Sequence, residues 1–145
     1  MASDRIIVRP ARSSDATAIV TIDHDPSRES VVREAVEDAR CLVAEWERII
    51  AGFVVGGRFY GFDFLELLVV AVSHRRRGVA TALMREWEAA ALTPKLFTST
   101  NESNIPMQRL CERLGYVRSG LIENLDEGDP EIVYFKENRR SSGAP

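Results

Sequence analysis

The segment Val69-Val70-Ala71-Val72-Ser73-His74-Arg75-Arg76-Arg77-Gly78-Val79-Ala80 constrains this chain more than any other stretch. It closes a nearly continuous apolar run, Phe64–Val72, rich in Val and Leu. Such a run predicts a strand buried on both faces. A basic turn follows, and a helix is predicted to begin near Gly78, with Val79, Leu83, Trp87 and Ala90 on one face. A helix N-terminus leaves backbone N–H groups unpaired, and its dipole adds partial positive charge. Gly78 lets backbone approach a bulky anion, and three arginines raise the local potential. Local physics thus describes a phosphate cradle. The plainer account is a solvated basic turn capping an ordinary helix.

The remaining pattern predicts alternating elements. Ile6–Arg9 reads as a strand, and Ser13-Ser14-Asp15 offers caps for a helix over Ala16–Ile22. Asp25-Pro26-Ser27 breaks the chain before a second helix, Ser30–Ala39. Cys41–Glu45 and Ile49–Val55 flank a polar turn and read as a hairpin, and Gly56-Gly57 and Gly61 punctuate the next connection. Leu96–Thr100 is a predicted strand. Asn104 is a predicted N-cap with Pro106 in the first turn that follows. Met107, Leu110, Cys111 and Leu114 form that helix's apolar face, and Gly115 stops it. Val117–Leu125 and Ile132–Lys136 form a last hairpin around the acidic loop Asp126–Pro130. This order predicts an α/β (α+β) architecture, a mixed sheet with helices on its faces.

Length and charge exclude several classes. The 145 residues fit one domain, read as 1–138 with a frayed tail over 139–145. A net charge of -3 gives no nucleic-acid signal. No apolar stretch reaches membrane-span length, and Met1–Pro10 lacks a signal core, so no membrane partner is expected. The two cysteines, Cys41 and Cys111, make no disulfide framework, and a reducing cytoplasm is the expected compartment. His24 and His74 lack ligand spacing, so no metal is expected.

At Arg75-Arg76-Arg77-Gly78-Val79-Ala80 the chain resembles the GNAT superfamily of N-acetyltransferases, whose acetyl-CoA loop has the form Arg/Gln-x-x-Gly-x-Gly/Ala. Asn104, Met107–Leu114 and Gly115-Tyr116 resemble that family's second motif, Asn-x-x-Ala…Tyr-Glu-x-Leu-Gly-Phe. Element order agrees along nearly the whole chain. The resemblance implies a mostly antiparallel sheet in which Phe64–Val72 and Leu96–Thr100 splay apart to form the acetyl-CoA cleft. It implies pyrophosphate on backbone amides of Arg77, Gly78, Val79 and Ala80, with Arg75 and Arg76 in the same loop. It further implies pantetheine pairing near Val70 and Val72, and a cofactor contact from Asn104. An acceptor amine would attack the thioester directly, giving N-acetyl transfer to a primary amine of a small molecule or peptide.

That reaction needs a neutral amine, whose free pKa is about 10.4, so a general base is useful. Glu66 is the candidate, because it interrupts an apolar run; a strand-end Glu reaching solvent or an arginine is the alternative. Val70 N–H is the positional candidate for stabilising the carbonyl oxygen. Cys111 stands where the family has its proton-donating Tyr, although a Cys on an apolar helix face is usually core. Tyr116 and Tyr134 lie outside that motif position. His24 and the acidic Asp126, Glu127 and Asp129 fall in regions that face the acceptor by resemblance; loop exposure and turn formation explain them as simply. Two rivals follow: a non-catalytic acyl-CoA-binding or sensing module, and an interaction protein whose arginine turn binds an acidic partner. A homodimer is a candidate assembly.

Overall fold

The computed structural model describes Arg5–Arg139. The expected tail therefore lies outside the described residues from 140 onward. The elements run β1 (Ile6–Pro10), α1 (Ala16–Ile22), α2 (Glu29–Glu37), β2 (Cys41–Trp46), β3 (Ile49–Phe59), β4 (Phe62–Val70), α3 (Val79–Ala90), β5 (Lys95–Asn101), α4 (Ile105–Arg113), β6 (Val117–Ile122) and β7 (Glu131–Glu137). The strands form a seven-stranded sheet in the order β1-β2-β3-β4-β5-β7-β6. Pairing is antiparallel for β1–β2, β2–β3, β5–β7 and β6–β7, and parallel for β4–β5. The parallel register joins Asp63, Phe64 and Leu65 to Leu96, Phe97 and Thr98, while β4 itself continues to Val70.

The chain divides into two compact units, one holding residues up to Gly57 with Glu66–Ala90, the other Arg58–Leu65 with the residues from Ala91 onward. In the first, α1 and α2 pack Ile19, Val32, Ala35 and Val36 against Cys41, Val43, Phe53 and Val55 of β2 and β3. Burying each Val, Ile or Phe side chain of this set stabilises the fold by about 1.5–3 kcal/mol. The helix α3 buries Val79, Leu83, Met84 and Trp87, whereas Ala90, expected on the same face, is exposed. Gly52 lets this helix lie close to the sheet, because a Cβ there would stand 3.1 Å from Leu83 and Val79 side chains. A carboxylate anchor ties β1 to the segment before α1: Asp15 accepts two bonds from Arg9 and one from Arg12 N–H, and Arg9 Nε also donates to Glu45. Asp15 therefore works through Arg9 and Arg12 rather than by capping α1 with its side chain.

In the second unit Leu96, Thr98 and Thr100 of β5 are buried in strict alternation. Leu110 and Cys111 of α4 and Ile132, Val133 and Tyr134 of β7 are also buried. Thr98 Oγ1 donates to the Leu65 carbonyl at 3.0 Å, which satisfies a buried hydroxyl.

Two expectations are corrected. Gly56-Gly57 do not punctuate a connection; β3 runs through them to Phe59. They permit close approach instead, since a Cβ on Gly56 would lie 3.0 Å from Trp87 Nε1, and one on Gly57 would overlap the Glu66 carboxylate. The turn falls at Tyr60-Gly61, where φ is 51° and 82°, the two positive values of a type I′ hairpin loop. The strand predicted over Phe64–Val72 is shifted to Phe62–Val70, and only Leu65 within it is fully buried. Ala71 N–H donates to the Ala51 carbonyl at 2.7 Å, after which Val72–His74 form a 3-10 turn with Val72 exposed.

Candidate active site

The turn from β4 to α3 is built on two left-handed residues. Arg76 has φ 63° and Gly78 has φ 85°. That region is open to glycine but costs other residues roughly 1–2 kcal/mol, so Arg76 needs its neighbours to hold it. Arg75 Nε donates to the Val70 carbonyl at 3.4 Å. The Arg77 guanidinium lies 5.4 Å from the centre of the Trp46 ring. His74 stands edge-on to the same indole at 6.0 Å, and its Nδ1 lies 2.8 Å from Ser73 Oγ. Ala82 N–H makes the helix's bond back to the Gly78 carbonyl at 3.0 Å, so the N–H groups ahead of it in the first turn lie before that ladder. A Cβ on Gly78 would meet nothing within 4 Å, so the space above this glycine is open. Open space, exposed arginines and a helix N-terminus fit a large anion such as a pyrophosphate.

Glu66, Val70 and the Arg75–Ala80 turn all belong to the first unit. Glu66 is exposed on β4, and its carboxylate lies across Gly57 of β3. Its position thus depends on a residue with no side chain. Val70 is the last residue of β4, and its carbonyl is taken by Arg75. Val72 lies just past the strand, as the exposed first residue of the 3-10 turn Val72–His74.

Asn104 and Cys111 belong to the second unit. Asn104 caps α4 as expected, accepting the Met107 N–H at 3.2 Å with Pro106 in the first turn. Its carboxamide N–H donors are not used by the cap. Cys111 is fully buried, and burial pushes its thiol up to about 12. A thiol that weakly acidic, out of contact with water, has the character of a core side chain. Tyr134 is also fully buried. Burial holds its phenol above the usual range, with Arg118 opposing.

His24 is an exposed residue of the loop between α1 and α2. In the acidic loop, Asp129 accepts Ser103 N–H and Oγ–H at 3.0 and 2.6 Å, and Asp126 accepts Asn101 Nδ2 at 2.8 Å. These carboxylates therefore tie the loop to Asn101–Ser103, which supports the turn-forming account. Sequence reasoning passed over two residues. Trp46 carried no motif, yet it touches two members of the basic turn. Gln108 is buried on α4, where its Nε2 donates to the carbonyls of Asn101 and Glu102 at 3.3 and 2.6 Å.

Residues 9–116 match the acetyltransferase (GNAT) family, and the chain belongs to that family. A GNAT-family acetyltransferase from Bacillus cereus ATCC 10987 is 36% identical, with TM-score 0.87 over 91% of this chain and 96% of that one. YncA of Salmonella typhimurium, a putative acetyltransferase solved with acetyl-CoA, superposes with TM-score 0.71 at 14% identity, covering 92% of this chain and 94% of that one. Diaminobutyrate acetyltransferase EctA of Paenibacillus lautus, solved with L-2,4-diaminobutyric acid and coenzyme A, gives 0.69 at 20% identity over 89% and 93% of the two chains. No curated protein matches the chain in sequence. Among the described residues, no helix is long and apolar enough to cross a membrane.

Proposed function

We propose that this chain is an acetyl-CoA-dependent N-acetyltransferase acting on a primary amine of a small molecule or peptide. The observation that supports it best is the Arg75–Ala80 turn, with open space above Gly78 at the start of α3. Amides of Arg77, Gly78, Val79 and Ala80 would hold the pyrophosphate, with Arg75 and Arg76 supplying positive potential. Acetyl-CoA supplies the activated acyl group as a thioester. Val70 N–H is assigned the developing charge on the carbonyl oxygen. Asn104 retains free amide donors for the cofactor contact that the family motif assigns to it. The exposed Glu66 carboxylate is assigned the proton of the incoming ammonium, directly or through water. Cys111 is assigned to the core, and the leaving sulfur takes its proton from another source, such as water.

The experiment is a melting scan followed by an amine panel. Saturating acetyl-CoA should raise the melting temperature, because it binds the native state alone. Release of free CoA should then depend on an added amine. Glu66→Gln should keep the fold and lower the rate at neutral pH by about 100-fold, the low end for a lost general base. Cofactor binding without release of CoA by any amine would favour the sensing module. No thermal shift at all would remove the reading.

A further inference from the structure

Trp46 ends β2 in a position the local sequence holds firmly. It pairs with Ile6 of β1 and with Ile49 of β3. The turn that follows it places Glu47 and Arg48 at φ 49° and 71°, which closes a tight hairpin. Its neighbour Glu45 is bound by Arg9. The indole is 7% exposed, so it is an anchored surface rather than a mobile one.

Two residues of the basic turn lie on that surface. His74 meets the ring edge-on at 6.0 Å, and the Arg77 guanidinium covers it at 5.4 Å. These two residues bracket Arg75-Arg76, and Arg76 is the left-handed non-glycine residue of the turn, at φ 63°. A strained backbone persists only where its surroundings determine it. Here the two ends of the strained stretch rest on one rigid ring. Cation–π attraction and ring packing supply the hold.

We propose that Trp46 is a positioning residue for the Arg75–Ala80 turn, fixing His74 and Arg77 so that the first N–H groups of α3 stay presented to an anion. The inference rests on the reading of that turn as the acetyl-CoA site. It also makes the Trp46 indole a reporter, since pyrophosphate binding beside Arg77 changes the charge above the ring.

Calorimetric titration with acetyl-CoA, run beside tryptophan fluorescence, tests this. Trp46→Leu should weaken acetyl-CoA binding about tenfold, the cost of a site that must be ordered on binding. The same change should leave kcat at saturating acetyl-CoA within about twofold, because only binding is altered. Trp46→Phe keeps an aromatic face and should restore most of the affinity. Acetyl-CoA should shift the emission of the wild type, and Trp46→Phe, which retains Trp87, should lose that shift. If Trp46→Leu does not fold, Arg77→Lys decides: it keeps the charge but replaces the planar guanidinium over the ring, and should weaken binding several-fold. Equal affinity in Trp46→Leu and wild type overturns the inference, as does wild-type affinity and emission in Arg77→Lys. Absence of binding by the wild type overturns the functional reading itself, and so is told apart from failure of the role given to Trp46.

Discussion

The Arg75–Ala80 turn and the Asp126–Pro130 loop both gather like charges beside a strand end, but those charges are used differently. In the acidic loop, Asp129 accepts two bonds from Ser103 and Asp126 accepts one from Asn101. Its carboxylates hold the loop to the start of α4. In the basic turn, Arg75 reaches one backbone carbonyl and Arg77 lies on an aromatic ring, while the start of α3 faces open space at Gly78. Asp126 and Asp129 are paired within their own unit, whereas the three arginines of the basic turn are exposed beside open space at Gly78. A run of like charges is thus no guide to a site until its partners are known.

The largest effect is expected at Asp15, which Arg9 binds through both oxygens. The Arg9 guanidinium holds this carboxyl below its usual value, against the opposing effect of burial. A depressed folded value stabilises the fold above the unfolded value, near 3.9, and that stability is lost as pH falls through the folded one. Asp15→Asn should cost about 2–3 kcal/mol at pH 7 and flatten the fall in stability below pH 4. Denaturant melts at several pH values check it; an unchanged acid limb would show that the pair contributes nothing.

Gly78→Val comes next. The space above Gly78 is open, so the variant meets backbone strain at φ 85° rather than a clash within the chain. It should stay folded while acetyl-CoA affinity falls at least about tenfold, or ~1.4 kcal/mol, from crowding of the anion. Equal affinity would place the cradle elsewhere. Asp129→Ala should do the converse, costing about 1–2 kcal/mol of stability through its two lost bonds with acetyl-CoA affinity unchanged. A fall in affinity for an amine acceptor, with stability intact, would break the comparison by making the acidic loop a binding element. The smallest effect is expected at Glu127, an exposed residue of that loop. Glu127→Gln should change stability by less than about 0.5 kcal/mol, as a thermal melt would show.

The parts of the site legible in the sequence are those fixed by local rules. Asn104 caps α4 because a short side chain before a proline-led turn can accept an N–H three residues on. Gly115 ends that helix region at φ 91°, a value glycine tolerates. Gly78 and the arginines mark the basic turn because strand, positive-φ turn and helix follow one another within a few residues. The hairpin of β2 and β3 follows from two apolar segments on either side of a short polar turn.

The remaining features needed contacts between residues far apart in the chain. Gly56-Gly57 carry the composition of a turn, and only the indole of Trp87 and the carboxylate of Glu66 show that they are strand residues kept bare for neighbours. Val72 continues an apolar run, but the bond from Ala71 to Ala51 is where the chain leaves the strand. Cys111 occupies a motif position, and burial decides that its thiol is held near 12. Trp46 lies 31 residues before Arg77, and no periodicity links them. The sequence by itself determined the order of elements, the two family motifs and the basic turn between strand and helix, because each rests on backbone preferences read over a few residues. Tertiary structure decided which charges are already paired, which glycines make room and which ring supports the turn, because burial and through-space contact depend on side chains that the fold brings together from distant strands.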